Sequence, residues 1–422
     1  MISLPFDVDL RSDMPRYREG GYGFVTDREI AAHSALQIPE LSNGFVRPWW
    51  YTLSKAPETG NCEGRAFPVH FRADTGSGCF AVAAVLEAET DCREVLVFIS
   101  RRHLAWRGAL NAGERVAIEA LCDVSPIYPA GHSGLTDSSP GCRKDRAVDL
   151  TLVAMDGVVR FASVRFERSD APRLFLMGDS TVTDQSAIIP YAPGCTYCGW
   201  GQMLPVHLGL DYCVSNHAHS GLSTESFREE GHYANLLSLV RPDDLVLIQF
   251  GHNDQKHRHL DAFGGYYENL RRYIRELTAR GAMPVLVTPL ARNTWKSETE
   301  YNDLLEAQAA AMFDLGEAYD VPVLDLHGAM MDCLCAHGLD ISRCWFHPCD
   351  YSHLNDFGAY MAAGFVVSAL AEYGLTEQSP QPAWLPYGPM EELSAPDGIA
   401  PPEGAKPLVD YGLIADFPWP IQ

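Results

Sequence analysis

Four runs constrain this chain of 422 residues more than any other feature: "RLFLMG" from Arg173, "DLVLIQFG" (244–251), "MPVLVTP" (283–289) and "VPVLDL" (321–326). Each is apolar throughout instead of alternating, so a strand built from it has to be covered on both faces. Helical periodicity fills the gaps. In "YYENLRRYIRELTARG", Tyr267, Leu270, Tyr273, Ile274 and Leu277 recur at i, i+3, i+4 spacing, and Gly281 follows as a stop. Residues 300–319 and 356–373 repeat the helical pattern. Apolar strands alternating with helices predict an α/β domain with a parallel sheet, whose sites lie at the carboxyl ends of its strands.

Before Arg173 the grammar differs. "GYGFVT", "GFVRPWWYTL", "AFPVHFRAD", "CFAVAAVLEA", "EVLVFIS", "ERVAIEALCDV", "AVDLTLVAM" and "VVRFASVRF" are short β-branched and aromatic runs between turn clusters. That pattern predicts an all-β sandwich or jelly-roll-like domain over 1–170, with a long polar loop at 125–145. Its Trp49, Trp50, Tyr51 and Trp106 fit either a sugar-stacking face or the core of the sandwich. The α/β domain then spans 171–375, and 376–422 is a proline-rich tail whose Trp384, Tyr387, Tyr411, Phe417 and Trp419 imply packing against the domains.

Charge excludes whole classes of partner. The net charge of −23 repels nucleic acid and anionic lipid at long range, so neither is expected. The longest apolar runs, "FAVAAVL" and "YMAAGFVVSAL", are too short to cross a bilayer. "MISLPFDVDLRSD" has no basic stretch followed by an apolar one, which reads as a cytoplasmic protein whose 12 cysteines are reduced. Cys195 and Cys198 have zinc-knuckle spacing, and Cys333, Cys335, Cys344 and Cys349 form a second group. No second C-x-x-C accompanies them, so no metal is expected.

Four segments carry residues suited to acyl transfer. Ser180 follows "LFLM" through Gly178-Asp179, at a strand end where a helix begins; it is a helix cap or a nucleophile. Asn253, in "VLIQFGHNDQK", lies at the same sheet edge, where its amide is turn chemistry or a donor to an oxyanion; His252 beside it reads as structural. Gly221, in "NHAHSGLSTESF", is a loop glycine or a backbone donor unobstructed by a side chain. In "CDYSHLNDFGAY", Asp350 can accept from His353 Nδ1, which leaves Nε2 to take a proton from Ser180.

In this order within one parallel-sheet domain, these segments resemble the SGNH (GDSL-like) hydrolases. The features "GDSTV", "GWGQMLP", "NHAHSGLSTESF", "LIQFGHNDQK", "PVLVTPLAR" and "SHLNDFGA" resemble most the rhamnogalacturonan acetylesterases, over about 172–374. The resemblance implies a flavodoxin-like three-layer α/β/α fold. It also implies a catalytic Ser180, His353 and Asp350, an oxyanion hole of Ser180, Gly221 and Asn253, and no cofactor. The substrate it implies is an acetylated, pectin-derived oligosaccharide; Trp200, Arg292 and Trp345, aromatic and polar residues flanking these segments, suit a sugar and are the substrate-binding candidates. A lipase or acyl-thioesterase on the same fold, or a non-catalytic carbohydrate-binding protein, are the competing readings. "IIPYAPGCTYC" (188–198) departs from the family pattern, and the lack of a leader favours short oligosaccharides over polymer.

Overall fold

The computed structural model describes residues 1–11, 14–25, 51–53, 66, 68–127, 146–185, 187–189, 191–348 and 350–385. Trp49, Trp50, Cys349, most of the 125–145 loop and the tail beyond 385 lie outside them, as does the side chain of Tyr51.

Ten strands precede the α/β segment: β1 (Phe6–Asp9), β2 (Tyr22–Phe24), β3 (Tyr51–Leu53), β4 (Val69–Asp74), β5 (Gly78–Ala88), β6 (Cys92–Ile99), β7 (His103–Leu110), β8 (Arg115–Val124), β9 (Ala147–Ala154) and β10 (Val159–Arg168). Nine of them form two antiparallel sheets, ordered β1-β10-β5-β8 and β2-β4-β9-β6-β7. Alternate residues explain the arrangement. Phe80, Val82, Ala84 and Leu86 of β5 meet Val148, Leu150 and Leu152 of β9 in a shared core. Trp106 packs against that core. Strands β1 and β7 carry no strong apolar run, and their pairing partners define them.

The α/β segment contributes β11 (Arg173–Gly178), β12 (Ala187–Ile189), β13 (Cys213–Asn216), β14 (Leu245–Gln249), β15 (Met283–Val287) and β16 (Val323–Leu324). The short β12 pairs with β3. The other five form one parallel sheet ordered β13-β11-β14-β15-β16. Counted along the chain, that order is second, first, third, fourth, fifth, the doubly wound order whose crevice opens between the first and third strands.

Both faces of this sheet are covered, as its continuous apolar runs require. Leu174 and Leu176 of β11, Leu245 and Leu247 of β14, and Val285 and Val287 of β15 face one core with helices Leu204–Leu208, Leu326–Ser342 and Asp356–Glu372. Phe175, Met177, Val246, Ile248 and Leu286 face the other, with helices His232–Leu239, Gly265–Ala279 and Glu306–Tyr319. Strand β6 straddles two cores in the same way. Val95, Val97 and Ile99 enter the N-terminal core, whereas Leu96 and Phe98 enter the α/β core. The second antiparallel sheet therefore packs against both its partner sheet and the α/β segment, and the partner sheet also reaches β13 where Cys79 and Leu121 meet Cys213.

Several expectations shift. On the Gly265–Ala279 helix, Tyr266 is wholly buried, while Tyr267 sits at the margin and donates to Asp314 at 2.7 Å. The helix expected over 300–319 starts at Glu306, because Trp295 and Tyr301 pair as a β-bridge before it. The Leu326–Ser342 helix was not anticipated; Gly338 interrupts it with φ 75°. Trp384 of the tail is buried edge-on against Phe357 and Tyr360. All nine cysteines among the described residues are free, and no helix among them is long and apolar enough to cross a membrane.

Leu247, 1% exposed at the centre of the parallel sheet, gives the fold its test. Leu247→Ala should cost about 2–5 kcal/mol in urea unfolding, through lost transfer energy and a residual cavity. Leu210→Ala, at a residue 49% exposed, should stay within about 0.5 kcal/mol of the parent.

Candidate active site

The site begins where β11 ends. A Cβ on Gly178 would sit 2.6 Å from Val182 and 2.8 Å from the Gln249 carbonyl, so only glycine lets the ends of β11 and β14 approach this closely. Asp179 is fully buried, and its Oδ1 accepts from the Thr181 N–H at 2.9 Å and the Thr181 hydroxyl at 2.8 Å. Its Oδ2 faces His252 Nδ1 at 3.3 Å. Burial raises the Asp179 pKa, but the neighbouring His252 and the Thr181 donors outweigh it and hold the group below its ordinary value. Burial also lowers the His252 pKa, and Nε2 of this ring meets the Leu290 carbonyl at 2.9 Å. Asp179 and His252 thus lock the turn and turn Ser180 outward.

Ser180 is half-buried, and its Oγ lies 2.7 Å from His353 Nε2. The expected helix after Ser180 is a single turn, closed by Val182 and Thr183 N–H groups on the Asp179 carbonyl. With so few aligned peptides, a helix dipole contributes little at this serine.

His353 comes from the loop before the Asp356–Glu372 helix. Phe346 and Leu354 form a β-bridge across that loop, and the His347 N–H donates to the His353 carbonyl at 2.9 Å. Asp350 Oδ2 lies 2.8 Å from His353 Nδ1, while Oδ1 accepts the N–H groups of Ser352 at 2.7 Å and His353 at 3.0 Å. Burial would raise the Asp350 pKa, but the His353 ring and these two backbone donors bring it down to about 2. The Tyr197 ring stands edge-on to the His353 ring, with centroids 5.8 Å apart, and stacks on His347 at 3.6 Å.

The remaining loops are tied to this edge by hydrogen bonds. The His219 N–H donates to the Gly178 carbonyl at 3.0 Å, which brings the loop after β13 alongside the Ser180 turn. Gly221 in that loop has φ +83° and a Cβ position open to solvent. Asn253 Nδ2 donates to Leu222 O at 3.0 Å, and its Oδ1 accepts from Lys256 Nζ at 2.7 Å. Those two contacts fix the amide and leave its second N–H for another acceptor. The next residue, Asp254, is fully buried with one oxygen on Thr224, and burial pushes its pKa up to about 7. Sequence reasoning overlooked Lys256 and gave Asp254, at the same sheet edge, no role. The run "GHNDQK" was their signal, since Lys256 falls three residues after Asn253, within reach across one tight turn.

The three expected substrate-binding residues need correction. Trp200 is 0% exposed and donates to Gln249 Oε1 at 2.8 Å, inside the protein. Trp345, 5% exposed, packs edge-on against His337. Arg292 is 4% exposed and donates to Ser352 Oγ and to the His252 carbonyl, bracing the His353 loop against the end of β14. Burial takes the two tryptophans out of a ligand's reach and commits the arginine to protein groups. Cys195 and Cys198 are buried too, and among the described residues no cluster of three or more His, Cys, Asp or Glu could hold a metal ion.

A hydroxyl hydrogen-bonded to an imidazole, backed by a carboxylate at the carboxyl edge of a parallel sheet, is the arrangement of a hydrolase with a serine nucleophile. The model of the GDSL-like lipase/acylhydrolase family matches residues 176–353. Rhamnogalacturonan acetylesterase RhgT of Bacillus subtilis is 33% identical over 217 residues, which cover 48% of this chain and 91% of that protein. Probable rhamnogalacturonan acetylesterase YesY of Bacillus subtilis is 30% identical over 213 residues, covering 49% of this chain and 95% of that protein. The rhamnogalacturonan acetylesterase of Emericella nidulans is 22% identical over 240 residues, covering 49% and 87%. The chain belongs to the GDSL-like lipase/acylhydrolase family and is a carboxylic ester hydrolase.

The Asp350 carboxylate yields a pH-dependent prediction. Its folded pKa of about 2 lies below the ordinary 3.8, so its contribution is full above 3.8 and lost as pH falls toward 2. The shift corresponds to about 2 kcal/mol. Asp350→Asn should therefore be less stable than the parent by about that much at neutral pH, with the gap closing on acidification. A gap in urea unfolding that stays constant down to the acid limit of the fold would contradict this.

Proposed function

We propose that the protein is a serine carbohydrate acetylesterase that removes O-acetyl groups from a pectin-derived, rhamnogalacturonan-type oligosaccharide. The observation that carries the reading is the Ser180–His353–Asp350 chain, with separations of 2.7 and 2.8 Å, in the crevice between β11 and β14. Residues 171–375 are the hydrolase unit in this reading, 1–170 an accessory β-sandwich unit and 376–422 a tail.

In the proposed reaction Ser180 Oγ attacks the acetyl carbonyl while His353 Nε2 takes its proton. Asp350 holds the Nδ1–H tautomer and stabilises the imidazolium that forms. The oxyanion is bound by the N–H groups of Ser180 and Gly221 and by the second amide N–H of Asn253. Lys256 on Asn253 Oδ1 keeps that amide oriented. His353 then protonates the departing sugar oxygen, which leaves Ser180 as its acetyl ester. Water, deprotonated by the same imidazole, releases acetate and restores the serine. The substrate class follows the names of the relatives. It is also supported by Tyr197, a residue 39% exposed whose ring lies beside His353, since aromatic rings stack on sugars.

Acetate release from acetylated oligosaccharide tests the proposal. Ser180→Ala and His353→Ala should lose activity almost entirely with folding intact, and near-parental turnover in either ends it. Asn253→Ala should lower kcat by about 10²–10³. Among p-nitrophenyl esters the parent should prefer acetate; a preference for long acyl chains would point to a lipase instead.

A further inference from the structure

The turn between β6 and β7 consists of only three residues, Ser100, Arg101 and Arg102, since Ile99 already pairs with His103. Ser100 has φ 49° and Arg102 has φ 65°. Tight turns place glycine or asparagine in that left-handed region, and a serine or arginine there is held only by its surroundings. A hairpin tip bearing two arginines belongs in solvent. Here Arg101 is 1% exposed, Arg102 0% and His103 2%, all sunk into the α/β segment.

Each arginine reaches one half of the site. Arg101 Nε donates to Asp184 Oδ2 at 2.6 Å, and His103 Nε2 meets Asp184 Oδ1 at 2.8 Å. Asn216 Nδ2 donates to the same Asp184 Oδ1 and to the Val182 carbonyl, each at 2.8 Å, while Arg101 Nη2 donates to the Asn216 carbonyl at 3.1 Å. Val182 and Asp184 follow Ser180 in its turn, and Asn216 ends β13 and leads into the Gly221 loop. Arg101 therefore ties the serine to the loop that carries a backbone oxyanion donor.

Arg102 serves the other half. Its Nη1 donates to both Asp356 oxygens, at 2.6 and 2.9 Å, and Asp356 opens the helix that follows the His353 loop. Its Nη2 donates to the Tyr197 carbonyl at 2.6 Å, and the Tyr197 hydroxyl reaches Asp350 Oδ2 at 3.5 Å. Gln202 closes the frame between the halves: Nε2 donates to the Arg101 carbonyl at 3.0 Å, and Oε1 accepts from Arg102 Nη2 at 3.1 Å and from the Gln185 N–H at 3.0 Å.

We propose that Arg101, Arg102 and His103 are positioning residues of the active site, through which the N-terminal antiparallel-sheet region sets the Ser180–His353 geometry. The proposal rests on the Ser180–His353–Asp350 reading given above. These side chains touch no reacting atom. They clamp the serine turn, the Gly221 loop and the His353 loop to one external frame. A serine and an imidazole must hold their separation within a fraction of an ångström for proton transfer to keep pace with attack, and misplacement by about 1 Å costs on the order of 10²-fold in rate.

The test uses the full chain and variants Arg101→Gln, Arg102→Gln and Arg102→Lys, with Val153→Ala as a control. Val153 is buried in the same inter-segment core but takes no part in the clamp. For each, kcat and KM on p-nitrophenyl acetate, the rate of Ser180 labelling by a fluorophosphonate, and thermal unfolding are measured. The two glutamine variants should lower kcat and labelling rate in parallel by about 10–100-fold, with KM within about threefold of the parent. Arg102→Lys should recover part of the loss, and Val153→Ala should lower Tm while keeping parental kcat. Folded arginine variants with parental kcat and labelling would overturn the proposal, leaving the arginines as adhesive only. Should they fail to fold, the isosteric Asp184→Asn and Asp356→Asn carry the same expectation and the same overturning result. Parental turnover in Ser180→Ala would instead sink the underlying reading, so the two failures are distinguishable.

Discussion

Burial of both faces of the parallel sheet is the constraint on which the rest of the structure depends. Leu174, Phe175, Leu176 and Met177 of β11 alternate between two apolar cores and leave no polar position between Arg173 and Gly178. Reactive groups can therefore stand only at strand ends, and the strand order opens a crevice at one such edge, between β11 and β14. Ser180 and Asn253 follow these two strands. The loop after β13 reaches them through the His219–Gly178 hydrogen bond, and the His353 loop through its contact with Ser180. Hydrophobic burial selects the edge; short polar contacts then fix which atoms meet there.

Those contacts sort into two shells with different chemistry. The inner one gathers the Ser180 hydroxyl, the His353 ring and the Asn253 amide. The outer one is buried and centred on charged groups, with the Asp179 carboxylate beside the His252 ring, Arg292 against the His353 loop, and Arg101 and Arg102 against Asp184 and Asp356. Buried ions are costly to desolvate and are weak evidence for added stability. Their value here is directional, because a guanidinium shared among a carboxylate and backbone carbonyls admits few geometries.

What was legible in the sequence follows from these physics. The four apolar runs announced a two-sided sheet, to which the structure adds β13 as a fifth strand. Ser180, Asp350 and His353 were legible only jointly with Gly221 and Asn253: each alone is ordinary turn or cap chemistry, and their order within one parallel-sheet domain set them apart. The aromatics misled: Trp200 and Trp345 read as sugar-binding, yet an indole buries more apolar surface than almost any other side chain, and both went inside. Arg101 and Arg102 carried no signal, because a two-arginine turn looks like a solvated hairpin tip. Only the position of that tip against the α/β segment reveals its partners, and such long-range pairing has no local pattern. The helix after Ser180 was inferred from the usual strand–helix alternation, and the chain there makes one turn before continuing to β12.

The central claim is that Ser180 carries the acyl group between substrate and water. Acid quenching of the enzyme during turnover of an acetylated substrate, followed by peptide mass spectrometry, tests it most directly. The account predicts an acetyl adduct on the peptide containing Ser180 in the enzyme quenched during turnover, and no adduct there in Ser180→Ala. An adduct mapped to another residue, or full turnover with Ser180 never acetylated, would contradict it.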